Sequence, residues 1–368
     1  DFCKKCNHKV HKLLDAEIIH TPPPLIFPSS GNNTRQASHY DAVFPPISIT
    51  LFNSTVINGG SNLFQVGRNV IYHDLFDVKN DSTSEELWGR AIIYPEENKI
   101  QWLSHDKSPY IASEAASFVD ACAGNYAHWM TEVLPRIAMF CAEEKYKHIP
   151  IIINSDLHPN IMSSLYAVIG LERSIIILSL GRSIKVKKLY YVSVTGYIPF
   201  ELRKNNLDED CRGLFSSNAI AKVRSNILNF VVPKKGLSGP TKIYIRRSGD
   251  IRKLVNQSEI ESLLRDKGFS IIDPDDLSFV DQVKLFSSAT DIVTPAGAAL
   301  ANIIFCKPNV QITILAIDYI GASYWYWQGV AWASGNVARF CLGSPREGVG
   351  HVRHSDFHVP PEYLLDAL

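Results

Sequence analysis

Hydrophobic positions follow two different rhythms along the chain, and the change between them divides it. In SITLFNSTVING (48–59) and NVIYHDLFDV (69–78), β-branched and aromatic residues lie between Asn and Gly punctuation. This texture runs over 41–112 and predicts short strands and turns with no helical period. From about 118 the texture changes. A helix over 125–145 precedes the strand IPIIIN (149–154), a helix over 158–170, and the strands SIIIL (174–178) and VKKLYYVS (186–193). After a helix near 215–230 the rhythm repeats. TKIYIRR, FSIID, DIVTP and VQITIL are strands, separated by helices over NQSEIESLLRDKG, SFVDQVKLFSSA and GAALANIIFC. Short, continuously apolar strands alternating with helices predict parallel sheets covered on both faces. The fold expected is α/β.

The polar breaks set the expected boundaries. Residues 1–39, with TPPPLIFPSSGNN, have no period and read as an irregular extension. ELRKNNLDEDCRG (201–213) is the best linker. The chain is therefore expected to divide into 40–205 (β-rich 40–117, then α/β 118–205), 206–345, and a tail over 346–368 whose histidines read as solvated. Ligands of open α/β sheets bind outside the carboxyl ends of the strands, so those ends are where chemistry is sought.

Three stretches carry candidate chemistry. In GNYAHWMTEVLPRIAMF (124–140), steps of three, four and four place Asn125, His128, Glu132 and Arg136 within a wedge of roughly 80°. Trp129, Val133, Ile137 and Phe140 form the adjacent apolar stripe. Pro135 cannot donate to the carbonyl of Thr131, which predicts a local opening beside the polar edge. In YIRRSGDIRKLVN (244–256), a strand end delivers Arg246 and Arg247, with Arg252 beyond a turn. Such guanidiniums can cradle an anion, or pair with nearby carboxylates on a plain surface turn. In DIVTPAGAALANIIF (291–305), a buried strand ends and a helix opens at Gly297 and Ala298 with small residues only. Its amides and dipole suit an anion, although tight helix–sheet packing explains the same residues.

Other features narrow the field. There is no Gly-x-Gly-x-x-Gly, Walker or Gly-x-Ser-x-Gly motif, so dehydrogenase, ATPase and α/β-hydrolase readings lack their signatures. DPDD (273–276) reads as a turn and helix cap, DED (208–210) as a linker, and the Cys3/Cys6 pair as two unrelated thiols. No obligatory protein-bound metal is expected. SYWYWQG (323–329) is either an aromatic platform for a sugar or interdomain packing.

Composition adds exclusions. Lys plus Arg and Asp plus Glu balance at 37 each, so no global field draws the 368-residue chain to nucleic acid. No apolar run reaches the length of a membrane span. Seven scattered cysteines fit a reducing compartment, and a cytoplasmic location is expected, with a membrane-peripheral one as an option within it. The alternative is a secretory-pathway lumen with an anchor removed.

The three stretches together resemble glycosyltransferase family 61. NYAHWMTEVLPR is similar to its Asn-Tyr-x-His-Trp-x-x-Glu-x-Leu-Pro-Arg signature, and YIRRSGDIRKLVNQSEI to its Arg-rich segment. GFSIIDPDDLSFVDQVKLFSSATDIVTPAGAALANIIF resembles the segment that leads to His-Gly-Ala-x-Leu-x-Asn, with Ala296 standing where the family commonly has His. The resemblance implies a GT-B-like fold of two facing Rossmann-type domains, and inverting transfer from a nucleotide sugar to a glycan hydroxyl. The pathway expected is surface-polysaccharide synthesis. On that implication His128 is the first choice of base, and Glu132 orients it or is itself the base. Asn125, Trp129 and Arg136 are candidate acceptor or sugar contacts, Arg136 also being a structural partner for Glu132. Arg246, Arg247, Arg252, Gly297, Ala298 and Asn302 are the candidate donor-phosphate residues. The competing readings are a non-catalytic glycan- or nucleotide-binding relative and a GT-B-fold nucleotide-sugar epimerase.

Overall fold

The computed structural model describes residues 8–28, 40–75, 90–103, 105–198, 213–231, 239–247, 249, 251–319, 324–346 and 352–368. The Cys3/Cys6 pair, the acidic run 208–210 and the expected boundary at 205/206 lie outside them. The chain divides into two compact units, 1–18 with 43–226 and 19–42 with 227–368.

The first unit is built on a mixed sheet. Its long strands are β1 (Ile47–Asn58), β2 (Tyr110–Ser117), β3 (Ile151–Asn154), β4 (Ile175–Leu178) and β5 (Ser183–Val192). Their spatial order is β4-β3-β2-β5-β1. The pairs β2–β3, β3–β4 and β2–β5 are parallel, whereas β1 runs antiparallel to β5. The β-rich stretch and the α/β stretch thus share one sheet, because β1 supplies the free edge of β5 with a nine-residue register from Ser183↔Asn58 to Val192↔Ile49. Phe52, Ile57, Ala115, Ile152, Leu178 and Leu189 pack together as its core. Lys9–Leu14, expected to be irregular, also pairs with β1. Tertiary pairing overrides a weak local signal there.

The second unit carries β6 (Lys242–Ile245), β7 (Ser270–Ile272), β8 (Asp291–Pro295), β9 (Gln311–Ile317) and β10 (Ala338–Pro345). They are all parallel, in the order β7-β6-β8-β9-β10. Helices Gln257–Asp266 and Phe279–Ser288 connect β6 to β7 and β7 to β8. Ser278 caps the latter by accepting from Asp281 N–H, so DPDDLS does turn the chain and start a helix. Leu25–Phe27 pairs with β10, which brings part of the expected extension into this sheet.

The C-terminal stretch is no solvated tail. Phe357, Val359, Leu364 and Ala367 are buried in the second core, beside Tyr244, Ile260 and Val293. Helix Pro361–Ala367 presents Leu364 and Ala367 at a spacing of three, which puts both on one face. Trp325–Ala333, at the aromatic run, is a helix with Trp325 buried.

Candidate functional site

Each sheet has one place where successive strands depart in opposite directions. In the first unit it lies between β2 and β5, and in the second between β6 and β8. Loops there leave the carboxyl ends on opposite sides, opening a crevice.

At the first crevice, a helix follows β2. It runs as Tyr126–His128, a π-helical turn over Trp129–Val133, and Leu134–Cys141. Asn125 caps its start, its Oδ1 accepting from Ala127 N–H at 2.9 Å. The opening expected at Pro135 is this π turn, in which Leu134 N–H reaches back to Trp129 O. π turns recur at functional sites. The loosened carbonyls meet the chain after β5. Thr195 Oγ1 donates to Glu132 O at 3.3 Å, and a Cβ on Gly196 would fall 2.9 Å from Thr131 O and 2.4 Å from the Phe215 ring. Only glycine allows that approach.

The crevice is narrow. Asp120, Glu132 and Arg136 line it from the β2 side, and Tyr191, Val194 and Tyr197 from the β5 side. His128 Nδ1 hydrogen-bonds Glu132 Oε1 at 2.8 Å, with side-chain exposures of 6% and 13%. The carboxylate therefore reaches the cleft while the imidazole stands behind it. Burial pushes the Glu132 carboxyl up, His128 opposes the shift, and the Asp120 charge adds to it. Asp120 is fixed by Asn154 at the end of β3 and accepts from Cys122 N–H at 2.9 Å.

Two expected neighbours stand differently. Arg136 is buried, but its Nε donates to Val192 O at 3.3 Å and its guanidinium lies over the Tyr191 and Phe118 rings. The partner of Glu132 is His128 rather than Arg136. Trp129 is fully buried, with its indole N–H on Ser164 Oγ at 2.8 Å, so its contacts are those of a core side chain. His73 and Asn62, which the sequence did not single out, complete the cleft. Burial first, and the Arg136 charge second, push the His73 imidazole down to about 3, so it is neutral at physiological pH.

At the second crevice the arginines divide. Arg246 is locked to Glu261 through Nε–Oε1 and Nη2–Oε2, both 2.7 Å, and Glu261 also accepts from Gln257 and Arg265. That pairing fulfils the blander expectation for this residue. Among the described residues, no carboxylate pairs with Arg247. Its Nε donates to Ile251 O at 2.9 Å and its Nη1 to Ala296 O at 3.0 Å, which bridges the ends of β6 and β8. Burial, then the neighbouring Arg252 charge, push its pKa down to about 10. Arg252 occupies left-handed backbone at φ 59, an uncommon conformation for a non-glycine residue. A Cβ at Gly297 would lie 2.3 Å from Arg247 Nη1, so a larger residue there would displace the guanidinium.

The segment from Ala298 to Phe305 is a 3₁₀ helix, where an α-helix was expected, and no side chain caps its start. Asn302 is fully buried and donates to Gln282 Oε1 at 2.8 Å, tying this segment to helix Phe279–Ser288. Among the described residues, no cluster of three or more His, Cys, Asp or Glu is arranged to hold a metal ion. Nor is any described helix long and apolar enough to cross a membrane.

The frame is thus a mixed α/β protein with a shielded carboxyl at one crevice and, at the other, a guanidinium bonded to two carbonyls. Residues 126–313, about half of the chain, match the Glycosyltransferase 61 family, and the chain belongs to that family. A search of curated proteins finds no match. Membership implies sugar transfer. The matched region begins at the helix that carries Glu132 and ends in β9, so it includes Glu132 and Arg136 at the first crevice and Arg247 and Gly297 at the second.

Proposed function

We propose that the protein is an inverting, GT-B-like glycosyltransferase that moves a sugar from a nucleoside-diphosphate donor to a hydroxyl of a glycan, as in surface-polysaccharide assembly. The observation that carries this reading is the Glu132 carboxyl, shielded, raised in pKa, held by His128 and open to the cleft. A carboxylate whose pKa lies above the ordinary range is a stronger base for a hydroxyl proton. Exposure favours Glu132 as the base and His128 as the group that positions it, which reverses the order of preference drawn from the sequence.

In this reading the acceptor O–H proton passes to Glu132 as its oxygen bonds the anomeric carbon, opposite the leaving group. The bond from that carbon to the phosphate oxygen breaks, and its electron pair leaves with the nucleoside diphosphate. In the second unit, taken by itself, Arg247 and Arg252 with the amides at Gly297 and Ala298 are the candidate ligands of a nucleoside diphosphate. Arg247 supports this role because it is a half-buried cation whose partners among the described residues are two carbonyls at a strand-end crevice. Arg246 serves as a strut.

The test is incubation with a panel of nucleotide sugars and neutral oligosaccharides, with and without EDTA, following nucleotide release and product anomeric configuration by NMR. The reading expects acceptor-dependent release with inverted configuration. Retained configuration overturns the mechanism, and an epimerised donor formed without acceptor overturns the reaction. The EDTA arm decides whether a divalent ion accompanies the donor.

A further inference from the structure

The cleft wall contributed by the β-rich stretch lies outside the family match, and it contains an orphan. Asn62 stands in the turn after β1, on the cleft. Its Nδ2 donates to Tyr72 Oη at 3.3 Å, while its Oδ1 is buried with no hydrogen-bond partner among the described residues. A phenol can give or take a hydrogen bond, so turning the amide over would exchange which atom is left over, not whether one is. A buried polar atom left unpaired is costly, and native proteins keep few of them.

The surroundings state what would satisfy it. A hydroxyl can donate to Asn62 Oδ1 and accept from Arg136, whose one hydrogen bond among the described residues runs through Nε to Val192 O. A carboxylate or phosphate could not donate to Asn62, and it would meet Asp120 and Glu132 on the same wall. His73 adds no positive charge, because it is held neutral. The wall therefore matches the hydroxyl edge of an uncharged sugar.

We propose that Asn62 is a specificity-determining contact of the acceptor subsite, hydrogen-bonding one hydroxyl of a neutral sugar whose neighbouring hydroxyl gives its proton to Glu132. This rests on the transferase reading above. Arg136 holds the same sugar edge from the opposite wall. Specificity arises because a site built to hydrogen-bond a hydroxyl rejects ligands that lack it or replace it with an anion.

The experiment uses the full chain and saturation-transfer NMR at pH 7. The probes are methyl β-xyloside, methyl β-galactoside and methyl β-glucuronide, with UDP and GDP titrated separately. The wild type is expected to bind at least one neutral glycoside and to reject the glucuronide. Asn62→Ala should weaken the neutral glycoside roughly fivefold, the size of one lost neutral hydrogen bond, with nucleotide affinity unchanged. Removing the glycoside's hydroxyls one at a time, with the wild-type protein, should at one position cost the same roughly fivefold, so the comparison stands even if the alanine variant fails to fold. Equal binding by the wild type and Asn62→Ala, the absence of any hydroxyl whose removal weakens binding, or preference for the glucuronide overturns the proposal. If a nucleotide binds through Arg247 but no neutral glycoside binds, the subsite proposal falls alone. If neither binds, the transferase reading falls with it.

Discussion

The two strand-end crevices treat an ionisable group in opposite chemical senses by the same physical means. At the first, burial raises a carboxyl, Glu132, towards its neutral form. At the second, burial and a like charge lower a guanidinium, Arg247, to about 10. Arg246, one residue away, is raised by its hydrogen bonds to Glu261. Adjacent arginines on a strand end project to different sides, so one meets the helix that carries Glu261 and the other meets the end of β8. A run of like residues is therefore not a run of like functions, and the partner across the sheet decides which is structural.

The comparison can be broken at its strongest point first. Glu132→Gln should lower turnover by about 10³-fold if the carboxyl takes the acceptor proton, measured as nucleotide release under saturating substrates. Turnover within tenfold of wild type removes it from that role. Next, Arg247→Ala should weaken nucleoside-diphosphate binding by about 10- to 100-fold in calorimetry, the scale of lost charge-assisted hydrogen bonds. Arg246→Ala should change affinity less than about threefold while lowering the melting temperature. The opposite ranking would exchange the two roles.

Stability sharpens the contrast further. The Glu261 carboxyl is held below its ordinary value, chiefly by Arg246. Its contribution is present above the unfolded-state pKa and is lost as pH falls through the folded value. Glu261→Gln should cost about 2 kcal/mol at pH 7, less than a fully buried pair because Arg246 reaches solvent, with the deficit shrinking towards acid. Glu132 works the other way. Its raised pKa contributes stability below the unfolded value of 4.5, which is lost as pH rises through the folded value. Glu132→Gln should therefore melt higher relative to wild type at pH 8 than at pH 5, by a few degrees. A constant difference across pH would mean that the carboxyl is not shifted.

What the sequence displayed and what it hid follow from range. The polar wedge of the 126–141 helix and the opening at Pro135 were legible because both depend on residues within one or two turns. The strand ends bearing Arg247 and Gly297 were legible as apolar runs that stop. Asn62, His73 and Asp120 were not, since β1 and β5 must pair before those residues share a cleft, and no local period announces that. The lock on Arg246 was hidden for the same reason, with Glu261 lying on the next helix. The C-terminal stretch misled because its histidines outweighed Phe357, Val359 and Leu364, whose burial needs the finished sheet.

The most direct test of the central claim is the pH dependence of kcat/KM for sugar transfer, wild type against Glu132→Gln. Burial of Glu132 predicts that the wild-type rate climbs with pH through an apparent pKa above the ordinary carboxylate range, as the Glu132–His128 pair loses its proton. That climb should vanish in the variant, with the residual rate flat across the same window. A variant that keeps both the rate and the climb would contradict the assignment of Glu132 as the base.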